Sequence, residues 1–230
     1  MNRFVLSLVT SFLIPLFSFA DTYPKDPRID IQNYAFNIHL SDTSDAIYCE
    51  ATIDVKFMME GITTLRLDLV NNSATLGNKG MIITSVHLNG KPLVFKHENN
   101  NLYITLDAPT NKNQRSKYVI SYHGIPASGL HIANNKYGDR TFFSDNWPDK
   151  GRNWLPMIDH PYDKATCEFI VTAPAHYQVV SNGLKIEETD LQNGTRLTHW
   201  KQSVPIASWL YVLGVARFAV QYVDQFDGKS

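Results

Sequence analysis

Excess charge of one sign, cysteine and long apolar stretches are all scarce in this sequence. Its 21 Lys and Arg nearly balance 22 Asp and Glu, for a formal net charge of −1. No basic run occurs, so the electrostatic footprint of a nucleic-acid binder is missing. Cysteine appears twice, at Cys49 and Cys167. No Cys-x-x-Cys spacing exists, which excludes a thiolate zinc ribbon and a dithiol redox pair. After the first twenty residues no segment is apolar enough to span a membrane. Convincing helical periodicity is also missing beyond that leader. There is no Gly-x-Ser-x-Gly elbow and no phosphate-cradling glycine loop. The one His-Glu pair, His97-Glu98, runs into Asn99, Asn100 and Asn101. The His-Glu-x-x-His spacing that sets two imidazoles on one helical face is therefore absent. His97-Glu98 reads as a solvated hairpin loop.

The leader itself has a definite pattern. Arg3 gives a positive start, Phe4 to Phe19 is uncharged and apolar, and Ser18-Phe19-Ala20 offers small residues where a signal peptidase reads. The apolar run is about 16 residues, short of the roughly 20 that a spanning helix needs. Residues 1–20 are expected to be a signal peptide cleaved before Asp21, with an uncleaved anchor as the alternative. The product would be exported to the periplasm or the extracellular space.

From Asp21 onward, period-two alternation dominates. Tyr34, Phe36, Ile38 and Leu40 form one series, and Ile47, Cys49, Ala51, Ile53, Val55 and Phe57 another. Leu65, Leu67 and Leu69 repeat the pattern, as do Leu102, Ile104 and Leu106. Each series predicts a strand with one buried face. Val86 to Leu88, Asn89-Gly90 and Leu93 to Phe95 predict a tight hairpin, because Asn-Gly accepts positive φ at both turn positions. Residues 124–161 lack a sustained period and predict a long structured connection carrying short strands. Alternation returns at Cys167 to Val171, Tyr177 to Ser181, Leu184 to Ile186 and Arg196 to Trp200. Trp209 to Tyr222 is apolar and β-rich, with Gly214 as a break. The fold class is all-β, a sandwich of mostly antiparallel strands. Residues 21–223 form the β region, and residues 224–230 form a polar tail or the start of a linker.

Both cysteines share phase with apolar neighbours and should face a core. Buried free thiols and a Cys49–Cys167 bond are both open. Asp159, His160 and Asp163 cluster next to Lys164. They could ligate a metal or serve as acid and base. The alternative is a turn, in which Asp bonds nearby amides and proline fixes φ. The aromatics Tyr137, Phe142, Phe143, Trp147 and Trp154 either line a ligand or sugar-stacking surface, or pack the long connection onto the sandwich.

The segment Arg152-Asn153-Trp154-Leu155-Pro156-Met157-Ile158-Asp159-His160-Pro161-Tyr162-Asp163-Lys164-Ala165-Thr166 resembles the Arg-x-x-x-Pro-x-x-Asp-x-Pro-x-x-Lys-Ala-Thr stretch of the aminopeptidase N and leukotriene hydrolase family of zinc metallopeptidases. Tyr122-His123-Gly124 and Gly129-Leu130 precede it in the family's order. Val179 to Gly183, Pro205 to Leu210, Gly214 and Phe218 follow. The resemblance implies that family's N-terminal domain, a saddle-shaped β sandwich. It also implies as partner a thermolysin-like catalytic domain that holds the zinc and acts on peptide substrates. Neither that domain's Gly-x-Met-Glu-Asn motif nor its zinc motif occurs in these residues. The chain alone is expected to hold no catalytic residue and no metal, and to cleave nothing. It would leave exposed an apolar face that normally meets the catalytic domain.

In relatives one loop of this domain contacts the substrate's first residue through Gln-x-Gln or Gln-x-Glu. The matching positions are Asp145, Asn146 and Trp147, which depart from that pattern. Asp145 could supply negative charge toward a substrate amine, and Trp147 could line the pocket. A turn with a packed indole fits equally well. Arg152, Pro156, Asp159, Pro161 and Lys164 carry the family motif as an ion-pair and turn cluster. A stand-alone secreted binding module for a glycan or a protein surface is the competing reading.

Overall fold

The computed structural model describes residues 21–221. The expected signal peptide and the polar tail lie outside the described residues. Three sheets share one apolar core. The largest contains β1 (Ile29–His39), β2 (Ile47–Phe57), β4 (Gly80–Leu88), β5 (Lys91–Pro92), β8 (Arg115–Ile125), β11 (Lys164–Pro174), β13 (Leu184–Asp190) and β14 (Thr195–Ala207). Its order is β13-β14-β11-β1-β2-β8-β4-β5. A three-stranded sheet joins β3 (Thr64–Asp68), β7 (Asn101–Thr105) and β6 (Phe95–Glu98) in that order. A four-stranded sheet runs β12 (Gln178–Ser181), β15 (Leu213–Ala216), β10 (Arg140–Ser144) and β9 (Leu130–Asn134).

The alternation translates directly into burial. Phe36, Ile38, Ala51, Ile53, Val55 and Phe57 are fully buried, while their neighbours Asn37, Glu50 and Lys56 are not. β1 lies between antiparallel β2 and parallel β11, the one parallel pair among the named strands. A parallel neighbour needs a long crossover. The excursion between β2 and β11 supplies it and builds the three-stranded sheet and the β9–β10 half of the four-stranded sheet on the way.

Several sequence expectations need correction. The Asn89-Gly90 hairpin forms, but its second arm divides. Lys91 and Pro92 pair with β4 and Leu93 still donates to Val86, whereas Phe95 has crossed into the three-stranded sheet. His97-Glu98 is not a loop: it ends β6, and the His97 ring lies 3.0 Å from the Leu69 carbonyl. Gly214 does not break the last apolar stretch. It sits inside β15, paired with Phe143 and Val180. β13 forms but buries nothing. All seven of its residues are exposed, and its charges suit an edge strand that must resist pairing with other chains.

Both cysteines are free and buried. Cys49 lies opposite Ile38, which lies opposite Val171, four residues beyond Cys167. Two strand spacings across and four residues along put the pair on the order of 16 Å apart. That is beyond the roughly 7 Å limit for a disulfide. Burial pushes both thiols up to about 12. A thiol reagent should therefore label neither cysteine in the folded protein and both in denaturant. Electrophoretic mobility should be the same with and without reductant.

Candidate functional site

The long connection carries the candidate site on a loop between β10 and a short 3-10 turn at Gly151–Asn153. β10 pairs with β9 and β15, so the loop leaves a fixed strand. The Asp145 N–H donates to the Gly129 carbonyl at 2.7 Å. Asn146 then turns inward and is only 2% exposed. Its amide nitrogen donates to the Tyr211 carbonyl at 2.7 Å, and its amide oxygen accepts from the Trp154 indole at 3.0 Å. Trp154 is fully buried and stacks on Phe169 of β11 at 6.2 Å. One asparagine thus joins the loop's start, its end and the strand entering the four-stranded sheet.

Trp147 and Asp145 point the other way. Trp147 is 65% exposed, so the packed indole belongs to Trp154 and not to this turn. A cis peptide joins Trp147 to Pro148. Asp145 pairs with Lys150 at 2.8 Å, and that hydrogen bond holds its carboxyl below the usual range. The loop therefore presents an ionised carboxylate and a bare indole from a clamped base. Gly129 makes the clamp possible. Its φ is +77°, and a Cβ there would come within 2.3 Å of the Lys150 carbonyl and 3.0 Å of the Trp154 ring. Among the other aromatics Phe142 is core, while Tyr137 and Phe143 are exposed.

Behind the loop lies a buried ion cluster. Asp68 and Asp159 are both nearly excluded from water. The Arg152 guanidinium reaches Asp159 at 3.3 Å and Asp68 at 3.8 Å, and the Arg152 N–H donates to Asp159 at 2.9 Å. Ser208 donates to the other Asp159 oxygen at 2.9 Å. Burial still raises the Asp159 carboxyl above its ordinary value, with these contacts opposing it. Asp68 also accepts the Asp159 N–H at 2.9 Å and pairs with Arg66 at 3.4 Å. Pro156 is buried just before Met157, whose backbone bridges to Asp68. Of the motif residues, the structure brings Arg152 and Asp159 together, with Pro156 buried in the segment between them. Lys164 stands apart, exposed at the start of β11, with no ion pair among the described residues. Arg152 neutralises Asp159 without Lys164, and the further members of the cluster are Asp68 and Arg66. Their only signal in the sequence was an Arg-x-Asp alternating with the buried leucines of β3.

Asp159, His160 and Asp163 do not form a donor set. Asp159 faces Arg152, and His160 contacts Asp21 at 3.2 Å and stacks on Tyr23. Asp163 accepts the Ile31 N–H at 3.3 Å. No group of three or more His, Cys, Asp or Glu side chains converges among the described residues. These residues do not fit a zinc ion.

Two predictions follow from the buried charges. Arg152→Met should destabilise the fold by roughly 3–5 kcal/mol near neutral pH, because it leaves the buried Asp159 carboxylate without a cation while Asp68 keeps Arg66. The loss should shrink as the pH falls and the Asp159 carboxyl, already raised by burial, takes up a proton. Asp163 is raised to about 7, first by burial and then by Asp30, and one of its oxygens is buried without a partner. A raised carboxyl binds protons in the folded state that the unfolded chain releases. Stability is therefore lost as pH rises from about 4 through about 7. Asp163→Asn should stabilise above pH 7, by at most ~4 kcal/mol, and give no gain below pH 4. Denaturant titrations across pH test both.

The peptidase M1 N-terminal domain family matches residues 31–210. No curated protein sequence matches the chain. Among solved structures, an M1 zinc metallopeptidase from Deinococcus radiodurans superposes with a TM-score of 0.70 at 23% identity, covering 82% of this chain and 42% of that one. A two-domain M1 zinc metallopeptidase variant bound to L-arginine gives 0.71 at 22%, covering 83% and 43%. Native yeast LTA4 hydrolase gives 0.66 at 22%, covering 82% and 29%. This chain thus spans less than half the length of these structures. The match over residues 31–210, with the fold shared by these structures, makes the chain a member of the peptidase M1 N-terminal domain family.

Proposed function

We propose that this chain is the substrate-wall and structural domain of an exported zinc metallo-aminopeptidase. A thermolysin-like catalytic domain would hold the zinc and remove N-terminal residues from peptides. Residues 1–20 would serve as the signal for export to the periplasm or the extracellular space, and the three sheets as the saddle-shaped sandwich of the family. The observation that carries the reading is the 145–147 loop, whose base is buried, whose Trp147 indole is exposed, and whose Asp145 carboxylate lies at the surface paired only with Lys150.

Its surroundings support the same reading. Val180 and Phe143 flank Gly214 on one face of the four-stranded sheet, and the Phe218 ring lies over Gly214. Val212 is in the same phase of that chain segment. Leu210 and Val212 are held beside β12 through Asn182. Trp147, Phe143, Val180, Leu210 and Val212 are each between 45% and 65% exposed. An apolar set of this size next to a loop suits contact with another domain.

The chemistry assigned to this chain is recognition. Asp145 would meet the protonated amine of a peptide, and Trp147 would limit the side chain accepted at the first position. Zinc would supply Lewis-acid activation of water from the catalytic domain, and no step of it falls to residues described here. The reading as a stand-alone binding module retains the exposed Tyr137, Phe143 and Trp147 as its support.

In the assembled enzyme, Asp145→Asn should raise KM several-fold with kcat changed less than two-fold, as expected when ground-state binding is lost. Equal loss in kcat and kcat/KM would contradict the assigned role. The 230 residues alone, supplied with zinc, should release no product from an aminoacyl chromogenic substrate. Chelator-sensitive turnover would refute that division of labour.

A further inference from the structure

Residues 21–28 carry no strand, yet they are pinned to the ion cluster behind the loop. Tyr23 is the pin. Its hydroxyl bonds Asp68 and accepts from Arg66 at 2.8 Å. The Arg66 and Arg152 guanidinium groups lie 5.2 and 5.7 Å from its ring centroid. His160 stacks on the ring at 4.7 Å, and Tyr162 lies 5.9 Å away. The arm is fastened further by Asp26, whose N–H donates to the Tyr162 hydroxyl at 3.2 Å.

The same contacts reach the candidate loop. Tyr23, Pro148, Asp149, Arg152 and Trp209 line one cleft of about 490 Å³. Arg152 belongs to the turn that closes the loop, and its carbonyl accepts from Val70 at 2.8 Å. Two residues on, Trp154 holds Asn146. A ring packed over Arg152 restricts the rotamers of that long side chain and completes the hydrogen bonding of Asp68. Without it Arg66 and Arg152 would share Asp68 with solvent, and the turn would keep the Asp159 and Val70 contacts of Arg152 but lose the ring over its guanidinium.

We propose that Tyr23 is a positioning residue, and that the 21–28 arm is a strap holding the 145–154 loop in place through Arg152. The consequence for substrate recognition rests on the proposed substrate-wall role of this loop; the mechanical coupling does not.

Hydrogen exchange on the purified chain tests the coupling without any activity readout, so its failure and that of the substrate-wall reading are distinguishable. Tyr23→Ala should speed exchange of the Trp147 and Lys150–Leu155 amides by about ten-fold or more, while β2 and β9 stay within about two-fold of the unaltered protein. Tyr23→Phe keeps the ring and loses the hydroxyl. It should speed exchange at residues 68–70 and 152–159 by a smaller factor, and it carries the test if Tyr23→Ala does not fold. Unchanged exchange across the loop in the folded variants would overturn the proposal. So would a uniform rise over all three sheets, which would reduce Tyr23 to a general contributor to stability.

Discussion

Asp68 and Asp159, two carboxylates buried side by side behind the loop, must be neutralised, and much of the architecture around the candidate site follows from how that is done. Asp68 and Asp159 come from a strand end and from a turn 91 residues later. Each would cost several kcal/mol in isolation. Arg152 lies between them and is held by its backbone as well as its side chain. This cluster ties the three-stranded sheet to the segment that leads into β11. It therefore couples one small sheet to the centre of the large one. The apolar core supplies the bulk of the driving force, but it is non-directional. The cluster is directional, and it fixes where the long connection turns.

The loop inherits its geometry from that turn. Arg152 anchors its end, and Asn146, bonded to Trp154 and to the Tyr211 carbonyl, anchors its start. Between these anchors the chain has room for only a short excursion. Asp145 and Trp147 are displayed because Asn146 and Trp154 are not. A rigid base with exposed tips suits recognition of a small feature such as a peptide amine, since little order has to be gained on binding.

The strands were legible because their signal is local. Period-two runs such as Tyr34–Leu40 and Ile47–Phe57 need no partner to be read, and the structure buries the residues they mark. The family motif at Arg152–Thr166 was legible in the same way. What was missed depends on contacts distant in sequence. Nothing near Asp68 shows that it pairs with Arg152, and Lys164 looked like the natural partner only because it lies close along the chain. Trp147 and Trp154 are both tryptophans in one polar segment. Which is buried depends on Gly129 leaving space and on Asn146 offering an acceptor, neither of which is visible locally. The divided arm after Asn89-Gly90 is a matter of which sheet captures Phe95, again a tertiary choice.

The central claim, that the 145–147 loop faces the substrate of a zinc aminopeptidase, can be tested by photo-crosslinking. A photoreactive phenylalanine analogue in place of Trp147, in the protein assembled with its catalytic domain, would be irradiated with a peptide bearing a free N-terminus. The account predicts an adduct on the peptide's first residue, lost when the peptide's amine is acetylated. Absence of any adduct, or equal labelling of the acetylated peptide, would contradict it.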